Sequence, residues 1–385
     1  MKNRASNLKV AFLTKWDPLD PRSWSGTMLS MYAALERTGL SLTPFGPVRS
    51  LAQLALRCGN ILTQSLIHRS YDFRHNFLVA REYSLRFERK LKAEHFDVIF
   101  APTASCEISG LTTTVPIVYL SDILNRAYKN YYPQSPRLFE FSAAEVDKIE
   151  LLAMQKAAHF ICPTNWTANY AAESYGFAAE RIHVLPFGPN LHFVASHEEA
   201  TRRKEFTVCR LLLLGIDWER KGGQIAFDTL QYLLGAGIPA ELTVCGCTPP
   251  AGVSHPNLKV VPFLSKRDPS QARLLADLLR DSMFLILPTQ AEAFGVVFCE
   301  ASAWGLPSIA RNTGGVSGVI EDGVNGYKIE PQEGATAYAR IIQDLYEDAD
   351  RYHALRLSSR GEYERRLNWD IWGHGVRRVL EEAAG

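Results

Sequence analysis

Residues 281–311 read DSMFLILPTQAEAFGVVFCEASAWGLPSIAR. The apolar run up to Pro288 reads as a buried parallel strand. The residues after Gly295 read as a helix that ends at Gly305, with Pro307 beyond to stop it. Glu292 therefore falls on the loop at the carboxyl end of a strand, and Glu300 on the helix that follows. That is where open α/β sheets bind ligands. If the loop joins the helical path, eight residues turn through about 800°, which leaves the two carboxylates roughly 80° apart on one side. The N–H groups of Phe294, Gly295 and Val296 would face the same cleft. Helix-start amides suit phosphate, and carboxylates suit sugar hydroxyls. A nucleotide sugar carries both.

Upstream, residues 215–223 read GIDWERKGG. Arg220 and Lys221 stand just before a helix start, and Gly222 and Gly223 let backbone approach a ligand closely. Two cations and a helix amino terminus make a diphosphate clamp. An exposed basic pair on a surface turn is the plainer reading. The paired glutamates on another loop of the same sheet favour the clamp.

The chain opens twice in the same way. KVAFLTKW from Lys9 is a strand, followed by a loop and the helix TMLSMYAALERTG; CRLLLLG from Cys209 is a strand, followed by a loop and the helix QIAFDTLQYLLGAG. Both helices carry apolar residues at three-to-four spacing and end at a glycine. Further buried strands are expected at 96–102, 116–122, 159–164 and 183–189, and then at 240–246, 258–264, 282–288 and 306–311. Strands alternating with helices mean α/β architecture. The reading is two doubly wound domains, 1–190 and 207–364, joined by a linker at 191–206 where polarity rises. Residues 365–385 form a closing helix with Trp369 and Trp372.

At 385 residues the chain suits two domains, and its 46% hydrophobic and 22% charged content is that of a globular protein. A formal net charge of +1 gives no sign of a nucleic-acid partner. The apolar run near the start is too short for a signal-peptide core, and no run of about 18 apolar residues exists to span a membrane. Seven cysteines without framework spacing fit reduced thiols in the cytoplasm. Cys245 and Cys247 have no matching ligand cluster downstream, and His159 and His183, in apolar strands, read as core or edge residues rather than ligands.

Residues 49–92 are helical and basic, with nine lysines and arginines. Solvated helix faces explain them. The sharper reading is peripheral contact with anionic lipid on the inner face of a membrane.

These motifs carry a resemblance. Glu292-x7-Glu300, with EAFG inside it and EASAWGLPSIA running on from Glu300, resembles the signature of retaining glycosyltransferases of family 4 in the GT-B superfamily. The likeness continues through residues 313–329, the WERKGG loop, HVLPFGPN at 183–190 and the amino-terminal WSG loop, in order along nearly the whole chain. It implies a GT-B fold, two Rossmann-like domains facing across a cleft. It also implies transfer of a sugar from a nucleoside diphosphate to a saccharide or lipid-linked saccharide, with no metal or cofactor. Glu300 would take the ribose hydroxyls and Glu292 a donor-sugar hydroxyl. Lys221, with Arg220, would neutralise the diphosphate. The amides of Phe294, Gly295 and Val296 would support sugar and distal phosphate, and the backbone around Phe263 would hold the base. Gly26 would let its loop approach the diphosphate; its other reading is simple helix entry with Ser25 as N-cap. Many relatives have a histidine before the aspartate of the YLSD segment. This chain has Ser121, which leaves Asp122 as a candidate for sugar or acceptor contact, or as a cap for the next helix. Relatives also place an arginine where this chain has Ile216. A GT-B-fold sugar-nucleotide epimerase and a non-catalytic nucleotide-sugar binding protein would share the donor site, and donor incubation without acceptor separates the first from a transferase.

Overall fold

Continuous apolar runs put two parallel sheets inside the molecule, each covered by helices. The computed structural model describes residues 8–67, 69–132 and 138–385. The first residues of the amino terminus, and His68 in the basic stretch 49–92, lie outside these. The first sheet has β1 (Lys9–Phe12), β2 (Ser41–Pro44), β3 (Val98–Pro102), β4 (Ile117–Leu120), β5 (His159–Cys162) and β6 (Ile182–Val184), in the order β2-β1-β3-β4-β5-β6. The second has β7 (Cys209–Leu214), β8 (Ala240–Cys245), β9 (Leu258–Val261), β10 (Phe284–Leu287), β11 (Ser308–Arg311) and β12 (Gly326–Ile329), in the order β12-β11-β10-β7-β8-β9. Neighbouring strands are parallel throughout, for example Phe100 against Val118 and Leu285 against Ile309's neighbour Ser308. Strands β3, β4, β5 and β10 are buried along their whole length. That is why they read as unbroken apolar segments: helices cover both faces of the sheet.

Two strands were not foreseen, β2 (SLTP) and β12 (GYKI). Each is the outermost strand of its sheet on one side. An edge strand has one pairing partner and partly exposed side chains, so its sequence lacks the apolar run that marks a central strand.

The chain divides into two compact units, residues 1–185 with 369–385, and residues 186–368. In the first unit the closing helix, Trp369–Ala384, packs on helix Thr27–Arg37 and on the sheet. Trp372 is buried and meets the edge of Phe100, with ring centroids 6.2 Å apart. Such an aromatic contact adds about 0.5–1.5 kcal/mol beyond the area it buries.

Residues 191–206, expected as an irregular linker, belong to the second unit and contain a helix, His197–Thr201. Two arginines of helix Ala349–Arg365 order this stretch. Arg356 donates to the carbonyls of Arg202 and Ala200 at 2.7 Å each, and Arg360 to that of Ala195 at 2.9 Å. A buried guanidinium needs acceptors, and here backbone carbonyls supply them. The polar composition that suggested a linker is the exposed side of a segment whose inner residues, Ala195 and Ala200, are buried.

Candidate functional site

In the second sheet the chain runs outward from β7 to β8 and β9, then returns to the other side of β7 with β10. The strand order reverses between β7 and β10, and loops at the carboxyl ends of those two strands flank the crevice where doubly wound sheets bind ligands. Residues 215–222 form the first of these loops and residues 288–295 the second.

Lys221 ends the first loop, just before helix Gly223–Gly235. Gly222 turns the chain into that helix with φ +71°, and a Cβ there would lie 2.1 Å from the carbonyl oxygen of Pro288. Only glycine allows the two loops to approach so closely. The contact is reinforced by Gln290 N–H donating to the Arg220 carbonyl at 2.7 Å, and by the Thr289 hydroxyl donating to the same oxygen at 3.1 Å. Across this seam Lys221 Nζ bonds Glu292 Oε2. Arg220 Nη1 lies 3.9 Å from the same carboxylate oxygen and donates to the Ala291 carbonyl at 3.2 Å. The side chains of Lys221 and Glu292 keep 11% and 14% of their exposure, so the pair is mostly sheltered yet reachable.

Glu300 sits in helix Val296–Ala303 and is buried. It accepts from the Asn190 N–H at 3.2 Å and from Lys266 Nζ. The helical path that would have set the two glutamates about 80° apart does not exist. Gly295, at φ +90°, breaks it, and the helix starts only at Val296. Glu292 is therefore a loop residue held by its own cation, and Glu300 answers to a different one. The first N–H groups of this helix have no intrahelical partner. Phe294 turns inward, buried against Phe187 at 5.1 Å, so its amide rather than its ring is available for a ligand. Phe263, in the loop after β9, is 65% exposed.

In the first unit the corresponding reversal lies between β1 and β3. After β1 the chain passes through Trp24, Ser25 and Gly26 with φ of 49°, 55° and 89°. Trp24 and Ser25 are costly in the left-handed region, which Gly26 adopts freely, and such strain concentrates at functional loops. Gly26 is the N-cap of helix Thr27–Arg37, with no side-chain cap, so Ser25 does not play that part. Asp122 follows β4 and does not cap the next helix either, whose N-cap is Leu124. Its carbonyl accepts from Thr167 Oγ1 at 2.6 Å. It lines a cavity of about 1130 Å³ together with Thr103, Ser105, Ser121, Arg126 and Lys129.

Sequence reasoning did not find Lys266. It lies two residues past the 262–264 segment assigned to the base, and a cation on a loop after a strand of the same sheet was the available signal. The sequence also holds one Asp-x-Asp triplet, Asp348-Ala349-Asp350. Its carboxylates serve locally: Asp348 accepts from Arg351 N–H at 3.0 Å, and Asp350 pairs with Arg203 at 2.6 Å.

Two six-stranded parallel sheets, each with its loops gathered at a reversal of strand order, define a protein of the GT-B fold class. Two family models match in succession: Glycosyltransferase Family 4 over residues 31–193, and Glycosyl transferases group 1 over residues 209–348. The chain belongs to this glycosyltransferase family. It is 27% identical over 247 residues to D-inositol 3-phosphate glycosyltransferase 1 of Catenulispora acidiphila, covering 60% of this chain and 58% of the relative. It is 28% identical over 205 residues to the D-inositol 3-phosphate glycosyltransferase of Paenarthrobacter aurescens, covering 50% of each. The chain spans about half the length of the curated relatives it matches. Among solved structures, Anabaena HepE in complex with UDP and glucose is similar in fold, with a TM-score of 0.62 at 18% identity over 97% of this chain and all of that one. The sucrose-phosphate synthase of Thermosynechococcus elongatus gives a TM-score of 0.67 at 16% identity, over 97% of this chain and 98% of that one.

Proposed function

We propose that this chain transfers a sugar from a nucleoside diphosphate, UDP-sugars first and GDP-sugars next, to a hydroxyl of a saccharide or lipid-linked saccharide, with the anomeric configuration retained. The observation that carries the reading is the Lys221–Glu292 pair with Arg220 beside it, at the strand-order reversal and at the start of a helix. Family membership and a fold neighbour bound to UDP and glucose support it.

In this reading the diphosphate takes Lys221 and Arg220. Negative charge grows on the leaving phosphate as the glycosidic bond breaks, and two cations plus helix-start amides stabilise that charge more than they stabilise the ground state. These protein cations do the neutralising, so the transfer needs no metal. Glu292, released from Lys221, accepts a hydroxyl of the donor sugar. Glu300 accepts the ribose diol, for which a carboxylate with two oxygens is suited. The exposed Phe263 segment offers backbone to the base. The acceptor hydroxyl attacks on the face the phosphate leaves, and the phosphate takes its proton, which retains configuration without a covalent sugar-enzyme intermediate. Asp122 and the strained loop at Gly26 serve the sugar or acceptor.

Calorimetry across a panel of nucleotide sugars tests the donor site: one donor gives heat and raises the melting temperature by mass action. No heat from any of them would end this reading. The anomeric coupling of the product, read by NMR, separates retention from inversion.

Acceptor chemistry extends to the membrane surface. Helix Leu51–Ile67 exposes Leu51, Leu54 and Ile61, at 71%, 61% and 61%, with Arg57 exposed between them. Helix Phe77–Ala93 exposes Phe77, Leu78 and Leu85 alongside Arg81, Arg89 and Lys92. Apolar side chains interleaved with cations suit an anionic bilayer surface. Among the described residues no helix is long and apolar enough to cross a membrane. The reading places the chain in the cytoplasm, peripheral on the inner membrane face. Liposome flotation should recover it on anionic but not on zwitterionic vesicles; equal recovery removes the idea.

A further inference from the structure

The first unit brings together three metal-ligating side chains that the donor site does not use. His159 opens β5, and His183 lies in the neighbouring edge strand β6 opposite Ile161. Residues two apart on a strand share a face, so His159 and His183 project from the same side of the sheet. Their rings meet there: His159 Nδ1 lies 2.9 Å from His183 Nε2, with centroids 5.1 Å apart. The third group is Glu382, in the last turn of the closing helix. Ligand atoms of all three lie within 4.8 Å of one another.

We propose that His159, His183 and Glu382 bind a divalent d-block cation, zinc foremost, which fastens the closing helix to the outer strands of the first sheet. Two imidazoles and a carboxylate are a donor set that zinc takes, with water in the fourth position. Magnesium and calcium prefer all-oxygen surroundings and are disfavoured here. Tetrahedral zinc, with Zn–N bonds of about 2.0–2.1 Å, holds its ligand nitrogens roughly 3.3 Å apart. The two rings need to part by only about 0.4 Å to reach that spacing. His159 is buried and fixes the position, whereas Glu382 is exposed and free to swing in. Both facing nitrogens must be unprotonated to bind, so the proton in their hydrogen bond moves to the other nitrogen of its ring as the cation arrives. The apolar strands that made both histidines read as core residues are compatible with this. The carboxylate comes from the far end of the sequence, where spacing gives no sign of it.

The test uses the full chain, freed of metal by chelator and titrated with zinc by calorimetry, beside His183→Asn and Glu382→Gln. The wild type should bind one equivalent and melt at a higher temperature with zinc. Glu382→Gln, an exposed change that leaves packing intact, should bind about 10- to 100-fold more weakly. His183→Asn should lose the site. Cobalt(II) should give the visible d–d bands of a tetrahedral nitrogen and oxygen site. Equal zinc uptake by the wild type and both variants overturns the proposal. So does a near-ultraviolet thiolate band with cobalt, which would put the ion on a cysteine. No uptake by the wild type leaves a hydrogen-bonded imidazole pair and overturns it as well.

Discussion

Both units join a lysine to a glutamate across the reversal of their strand order, and the two pairs are built differently. In the first unit Lys15 follows β1, and Glu107 lies in helix Ser105–Ser109 after β3. Glu107 Oε1 accepts from the Lys15 N–H at 3.1 Å and faces its ammonium at 3.8 Å. In the second unit Lys221 follows β7 and Glu292 follows β10. Glu107 is fully buried, and its other oxygen has no hydrogen-bond partner among the described residues. Glu292 stays partly exposed, bonds its ammonium directly and has a guanidinium 3.9 Å away. A carboxylate sealed from solvent beside one cation can only lock two loops together. An open pair with a second cation at hand can exchange partners when a diphosphate arrives. The sheet dictates where such a pair stands, and its exposure decides what it does.

Replacing each lysine breaks or confirms that contrast, and the largest effect belongs to Lys221→Ala. Loss of a charged hydrogen bond made in the transition state is worth about 1.5–3 kcal/mol, so kcat should fall roughly 10- to 150-fold. Lys15→Ala should instead lower the melting temperature, by removing the charge partner of a buried carboxylate, and leave kcat near that of the wild type. Steady-state transfer assays and thermal unfolding on both variants decide it. Equal losses of transfer in the two would erase the distinction.

Glu300→Ala should act next in size. Its carboxylate is buried between the Asn190 N–H and Lys266, so it is poised for a neutral diol rather than for changing charge. Removing it should raise the donor KM about 10-fold and move kcat less, since binding of ribose is the same in the ground and transition states. A larger fall in kcat than rise in KM would place Glu300 with Lys221 in the chemistry.

How much of this could be read from the sequence depended on burial. The central strands β3, β4, β7 and β10 were legible because both faces are apolar, and the edge strands β2 and β12 were not. Glu292, Lys221 and Arg220 could be singled out as candidates because each stands on a loop between a strand end and a glycine turn. Their mutual contact was not, since it rests on the close approach of Gly222 to Pro288, which is a property of the folded loops. The angular argument for Glu292 and Glu300 failed at one residue, Gly295, whose left-handed backbone ends the helix that the argument extended. Lys266 went unseen because its partner is fixed by tertiary structure alone. The stretch at 191–206 was misjudged because its ordering contacts come from Arg356 and Arg360, far along the chain.

The smallest expected effect concerns pH, where the two units carry opposite buried charges. Glu150, in the first unit, accepts from Tyr119 Oη at 2.6 Å, and burial raises its carboxyl above the ordinary value. A raised folded value means that its contribution to stability is full at acid pH and is lost as pH climbs through that value. Lys204, in the second unit, is pushed down to about 8, first by burial and then by the nearby Arg356. Between there and the ordinary lysine value of about 10.4 the unfolded chain holds more protons than the folded one, so stability rises with pH over that window. Glu150→Gln should therefore flatten the decline of melting temperature above about pH 4, and Lys204→Met the rise above 8. Thermal unfolding of the three proteins across the range measures both slopes. Should Glu150→Gln follow the wild type throughout, the Tyr119 hydrogen bond has already cancelled the cost of burying that carboxylate.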